Sequence, residues 1–147
     1  MNQTHSKKIL TVVIIVTLVV IWGHSLLGRE ASSEESSFVM ALLTPFLEIF
    51  VGRGNVTEHL VRKLAHFCEF FILGIELQLF FSLLKSRKSA VLLALSHGLF
   101  AAFTDETIQI FSGRGPMIQD VWLDFSGVTA GSLLALAVIM FRRNQKL

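Results

Sequence analysis

Four blocks of consecutive apolar residues dominate this sequence, each near the ~20 residues that carry a helix across the hydrocarbon core of a bilayer. They run from Ile9 to about Leu27, from about Leu60 to Leu84, from about Ala90 to Phe111 and from about Val121 to Phe141. Lipid offers no water to a free backbone N–H or C=O, so each block is expected to cross as a helix, which closes its hydrogen bonds internally. The fold class this implies is all-α: a polytopic membrane bundle of four transmembrane helices, one domain over residues 1–147. Composition agrees, because charge is only 16% of the chain, against about 25% in a soluble domain. The net charge of +2 does not point to nucleic acid, since the basic residues gather at the span ends. The single cysteine, Cys68, excludes an internal disulfide and a Cys-based zinc site. Within a span it reads as a small buried hydrophobe. The first block resembles a signal peptide in its basic start, but Gly28-Arg29-Glu30 follows it instead of a small-x-small cleavage site; an uncleaved helix is expected.

Orientation follows from Lys and Arg placement. Lys7 and Lys8 precede the first span, Lys85, Arg87 and Lys88 link the second to the third, and Arg142, Arg143 and Lys146 follow the fourth. No acidic residue accompanies them. The other two loops are acidic or mixed, with Glu30, Glu34, Glu35, Glu48 and Glu58 in one and Arg114 and Asp120 in the other. Both termini are therefore expected in the cytoplasm of a multi-pass plasma-membrane protein. The first of these loops also holds an apolar stretch, Phe38 to Val51, too short at ~14 residues to span comfortably. Ser36 or Ser37 is suited to cap it, Gly52 to end it and Pro45 to bend it, so a short interfacial helix or a re-entrant segment is expected there.

Ionisable groups inside a span are costly and so informative. The second span carries Lys63, His66, Glu69 and Glu76, which fall on one arc of roughly 140° at ~100° per residue. The third carries Asp105, Glu106 and Gln109 near its outer end, on an arc of about 100°. The fourth begins with Asp120 and Asp124, in one stripe with Gly127 and Gly131. The glycines form a small-xxx-small pair that lets a neighbouring helix approach closely. Nearly all these groups sit at the outer end of the bundle, so the expectation is one connected polar site there: His66, Glu69, Asp105, Glu106, Gln109, Arg114 and Asp120, with Lys63 and Asp124 beside it. Each residue also has a plain structural role available. Arg62 and Lys63 mark a helix end at the headgroups, Glu69 pairs with Lys63, Arg114 caps the third helix, and His97 and Glu76 serve packing or relay.

There is no GxSxG, HExxH or P-loop motif. His66 and Glu69 at i, i+3, with Asp105 or Glu106, have the chemistry of metal ligands, although this spacing alone is weak evidence. Gly113-Arg114-Gly115-Pro116 forms a tight turn whose guanidinium suits bidentate contact with phosphate or carboxylate. Taken together, Lys63-Leu-Ala-His66-Phe-Cys-Glu69-Phe70, Asp105-Glu106-Thr-Ile-Gln109, Arg114, Asp120 and Gly127-x-x-x-Gly131 resemble the VanZ-like membrane proteins over about residues 60–135. Phe70 stands where that family commonly has Tyr, and Asp124 where it has Asn. The resemblance implies a bacterial envelope protein and a contribution to glycopeptide (teicoplanin-type) resistance. It carries over no reaction.

Two functional classes follow from the residues. In one, the chain is a membrane enzyme acting on a phosphate-bearing envelope lipid or glycolipid. Lys63, Gln109, Arg114, Asp120 and Asp124 then bind substrate, and His66 with Glu69, or Asp105 with Glu106, supply general acid and base. In the other, the same cluster binds a lipid, an amphiphilic antibiotic or a partner membrane protein without catalysis. Membrane lipids are expected partners in both. The sequence names no cofactor, metal or oligomeric state.

Overall fold

The computed structural model describes residues 3–26, 44–45, 47–49, 52, 54–113 and 117–145. Four helices account for most of them: α1 (Gln3–Leu26), α2 (Glu58–Ser82), α3 (Arg87–Phe111) and α4 (Ile118–Asn144). At 1.5 Å per residue these are about 36–40 Å long, against a hydrocarbon core of about 30 Å. All four are long and apolar enough to cross a membrane. No strand occurs among the described residues. A short helical turn at 47–49 fits the short interfacial helix expected in the first long loop. The rest of that apolar stretch, apart from residues 44 and 45, lies outside the described residues, as do Ser36, Ser37 and Arg114.

Local signals set the helix ends. Thr57, in extended conformation, caps α2: its hydroxyl accepts from the Leu60 N–H at 3.2 Å, satisfying one of the four orphan donors of the first turn. The link from α2 to α3 is only residues 83–86, closed by the Leu84 and Lys85 N–H groups donating to the Phe81 carbonyl. So short a link makes α2 and α3 antiparallel neighbours. Gly113 ends α3 at φ 72°, where a side chain would strain the backbone.

The helices hold together by two different means. Glycine lets α2 and α4 meet backbone to backbone. A Cβ at Gly131 would collide with the Phe71 carbonyl oxygen, one at Gly127 would lie 2.6 Å from the Phe67 carbonyl oxygen, and one at Gly74 would strike the Val128 backbone. Ser132 adds a hydrogen bond from its hydroxyl to the Gly74 carbonyl at 3.1 Å. α3 closes the other side with a face of small residues, Ala90, Ala94, Gly98, Ala101 and Ala102, all buried. Val128 fills the space over Gly98.

The N-terminal helix is different. α1 leans on α2 and α3 through Ile14, Leu18, Ile21 and Trp22, while Val12, Ile15, Val16 and Val19 face outward. Those residues, with Leu92, Phe100 and Phe103 of α3 and Leu133 of α4, form an apolar outer surface of the kind that lipid tails cover. Cys68 belongs to that surface: it is exposed and is not the buried hydrophobe its place in a span suggested, because α2 turns its other faces to α1, α3 and α4.

Candidate functional site

The polar residues of α2, α3 and α4 gather at one end of the bundle, where α2 and α4 begin and α3 ends. Asp105 is the centre of this end and is fully buried. Its Oδ1 accepts from the Ser25 hydroxyl of α1 at 2.7 Å. Its Oδ2 accepts from the Gln109 side-chain amide at 2.9 Å and lies 3.8 Å from His66 Nδ1. One helical turn links these groups locally, since Asp105 and Gln109 are i, i+4 on one face of α3.

Glu106 is also buried, on the flank toward the α3–α4 loop. One carboxylate oxygen accepts from Gln109 at 3.2 Å and the other from the Met117 backbone N–H at 3.0 Å. Met117 caps the start of α4, and its N–H would otherwise be unpaired. Glu106 therefore ties the end of α3 to the start of α4. Above it, Lys63 Nζ of α2 approaches Asp120 Oδ1 of α4 at 2.8 Å, an ion pair whose alignment falls short of a hydrogen bond.

Asp124 is placed by the glycine packing. It lies one turn before Gly127 on the α4 face that meets α2, and it is fully buried. Neither of its carboxylate oxygens has a hydrogen-bond partner among the described residues. His66, Asp105 and Asp124 each present a ligand atom, and these atoms lie within 4.8 Å of one another. They are the residues of this site with the geometry to hold a metal.

A cavity of about 200 Å³ opens over this group, lined by His59, Arg62, Lys63 and His66 of α2, Glu106 and Gln109 of α3, and Met117, Asp120, Leu123 and Asp124 at the start of α4. Its volume is below the ~300–1,000 Å³ of pockets that enclose a whole small molecule. It has room for a small charged group or part of a larger molecule. Its lining is cationic on α2 and carboxylate on α3 and α4, and the two meet where Lys63 pairs with Asp120, because α2 enters the bundle with Arg62 and Lys63 where α4 enters with Asp120 and Asp124.

Of the residues the sequence singled out, Lys63, His66, Glu106, Gln109, Asp120 and Asp124 line the cavity, and Asp105 stands behind it, in contact with His66 and Gln109. Glu69 does not line it. It pairs with His24 of α1 at 2.7 Å, in place of the Lys63 partner that the sequence spacing offered. Glu76, deeper on α2, accepts from the Thr17 hydroxyl of α1 at 2.9 Å. The 140° arc on α2 thus divides: Lys63 and His66 at one edge serve the cavity, while Glu69 and Glu76 at the other serve α1. His97 contacts the Leu93 carbonyl and packs on Phe81.

The residues that sequence reasoning passed over are Thr17, His24 and Ser25 of α1, with His59 of α2; Arg62, expected only to mark a helix end, lines the cavity as well. A signal for the first three existed. Ile14, Thr17, Leu18, Ile21, His24 and Ser25 recur at three- and four-residue steps, the stripe of a helix face turned toward neighbours, and it holds three of the few polar groups of an apolar span.

These features define a class: a multi-pass membrane protein that buries a cluster of carboxylates, with a histidine and a glutamine, at one end of a four-helix bundle. The chain belongs to the VanZ/LLP1 family, whose model matches residues 10–141. The match takes in α1 as well as the three helices that carry the polar motifs, in keeping with the contacts Ser25 and His24 make to the cluster. No curated protein and no solved structure is a significant match to the chain.

Proposed function

We propose that this protein resides in the plasma membrane of the bacterial cell envelope with both termini in the cytoplasm. Its cavity opens outward and acts on a phosphate-bearing envelope lipid or glycolipid. The observation that carries this reading is the mixed lining of the cavity: Arg62 and Lys63 share a space of about 200 Å³ with Glu106, Asp120 and Asp124, and Lys63 is paired with Asp120 at 2.8 Å. The Arg62 guanidinium attracts an anionic group, and His66 with the carboxylates supplies proton donors and acceptors next to it. The orientation rests on the three basic segments, Lys7–Lys8, Lys85–Lys88 and Arg142–Lys146. Lipid enters between helices, so only the phosphate and its nearest atoms need fit the cavity. A contribution to glycopeptide resistance follows if such a lipid is part of the wall-building machinery.

A second reading, binding without catalysis, is favoured by the hydrogen bonds that already engage Asp105 and Glu106. Turnover separates the two. Membranes containing the protein are incubated with radiolabelled phosphate-bearing envelope lipids, and products are resolved by chromatography. Glu106→Gln, at equal expression, is expected to lower product formation by about a hundredfold or more, the usual cost of losing an acid–base group. Wild-type membranes that bind the lipids but convert none of them would leave the binding reading in its place.

A further inference from the structure

We infer that His66, Asp105 and Asp124 bind one divalent transition-metal cation at the floor of the cavity. Asp124 is the starting point. It is fully buried and both its oxygens lack a partner among the described residues. A carboxylate in that state is expensive in a low-dielectric interior unless a counter-charge is supplied. Among the described residues neither cation of the cavity pairs with it: Lys63 is engaged by Asp120, and Arg62 forms no ion pair with Asp124. His66 Nδ1 is likewise buried without a hydrogen bond. Its 3.8 Å separation from Asp105 Oδ2 is too long for a hydrogen bond. It is within a few tenths of an ångström of the ~3.3–3.6 Å between two ligands of one tetrahedral ion with bonds near 2.0–2.2 Å.

The surroundings are those of a metal ligand set. Ser25 and Gln109 each donate to Asp105 and fix its carboxylate plane, as outer-shell donors do for ligating carboxylates. The three ligands come from α2, α3 and α4, which pack closely, α4 on α2 at Gly127 and Gly131 and α3 on α4 at Gly98 against Val128. His66 and Asp124 line the cavity, so an ion has an entry path and its remaining coordination positions face open space. One imidazole and two carboxylates form a mixed nitrogen and oxygen set, which suits Zn²⁺ or Mn²⁺ better than the all-oxygen cages of Ca²⁺. The inference rests on these side chains; with His66 on the ion, Glu106 carries the acid–base role in the proposed function.

The test uses full-length protein in detergent, stripped with EDTA and titrated with Mn²⁺ by electron paramagnetic resonance and with Zn²⁺ by calorimetry. One ion per chain is expected, with a rise in thermal stability. Asp124→Asn and His66→Gln should each weaken binding at least about tenfold, the loss that removal of even an outer-shell partner can cause. Glu76→Gln, which alters a buried carboxylate deeper on α2 and bonded to Thr17, should leave binding unchanged. If Asp124→Asn fails to fold, His66→Gln decides by the same criterion, since that ring lies at the cavity wall. No saturable binding of either ion, or binding that His66→Gln leaves unchanged, overturns the inference and makes Asp124 a carboxyl neutralised by a proton.

Discussion

The α2–α4 interface and the seat of α1 solve the same problem in opposite ways. Helices in lipid have no hydrophobic drive to associate, because tails are as apolar as leucine; close packing or interhelical hydrogen bonds must hold them. α2 and α4 use close packing. Gly74, Gly127 and Gly131 leave no side chain at points where a Cβ would strike the facing backbone. α1 uses hydrogen bonds. Thr17 to Glu76, His24 to Glu69 and Ser25 to Asp105 run along one stripe of the helix, while most of its apolar surface faces outward. Packing is intolerant of added atoms but indifferent to polarity, whereas a polar seat tolerates shape changes and fails when a donor is lost. The site sits where the two kinds of contact meet, since Asp124 is placed by the glycines and Asp105 is held by Ser25.

The contrast can be broken at its packed side. Gly131→Leu should cost about 3 kcal/mol or more, because the added side chain meets the backbone of Phe71 and Ile75 and neither can move aside. Thermal or denaturant unfolding in detergent measures this. Unchanged stability would mean that α4 turns this face to lipid, and the account of how Asp124 is buried would fail with it.

On the polar side, Ser25→Ala is expected to cost about 1–2 kcal/mol, since it strips a donor from a fully buried carboxylate. Here the useful readout is local. Protease access to α1 should rise while the α2–α4 contact, followed by an engineered disulfide across it, stays intact. If both loosen together, the two interfaces are one cooperative unit and the contrast is only descriptive.

The smallest effect tests how α1 is divided. Thr17→Val keeps the shape and removes the hydroxyl from Glu76, with an expected loss of about 0.6 kcal/mol, the average for hydrogen bonds between membrane helices. Thr17 and Ser25 are about 12 Å apart along α1, so the double variant should be additive within about 0.5 kcal/mol. A larger deviation would show that α1 docks as a single rigid stripe.

Much of the site was legible from particular residues. Asp105, Glu106 and Gln109 were conspicuous because ionisable and amide side chains inside an apolar block are too costly to stand there without a polar neighbour. The Asp124, Gly127, Gly131 stripe was legible because helical spacing puts those residues on one face, and a Cβ at either glycine meets the α2 backbone. Glu69 was less legible. Its place on the same arc as His66 suggested a common neighbour, but an arc of roughly 140° is wide enough to face two helices, and His24 was the nearer partner. Ser25 was passed over because a lone hydroxyl in an apolar helix commonly bonds its own backbone, as Thr104 and Thr129 do here.

By itself the sequence determined that the chain crosses a membrane four times as helices, where those helices lie, and that the costly polar groups sit at one end. These properties are one-dimensional: the free energy of moving a segment into lipid is a sum over its residues, and charge at the span ends is read locally. Which neighbour each polar side chain meets is not such a sum. It depends on the rotation and depth at which helices settle, and those are set by the closest backbone approach available to all of them together. Tertiary packing alone therefore decided that Glu69 turns to α1, that Ser25 completes the shell of Asp105, and that Asp124 ends beside His66 with no hydrogen-bond donor of its own among the described residues.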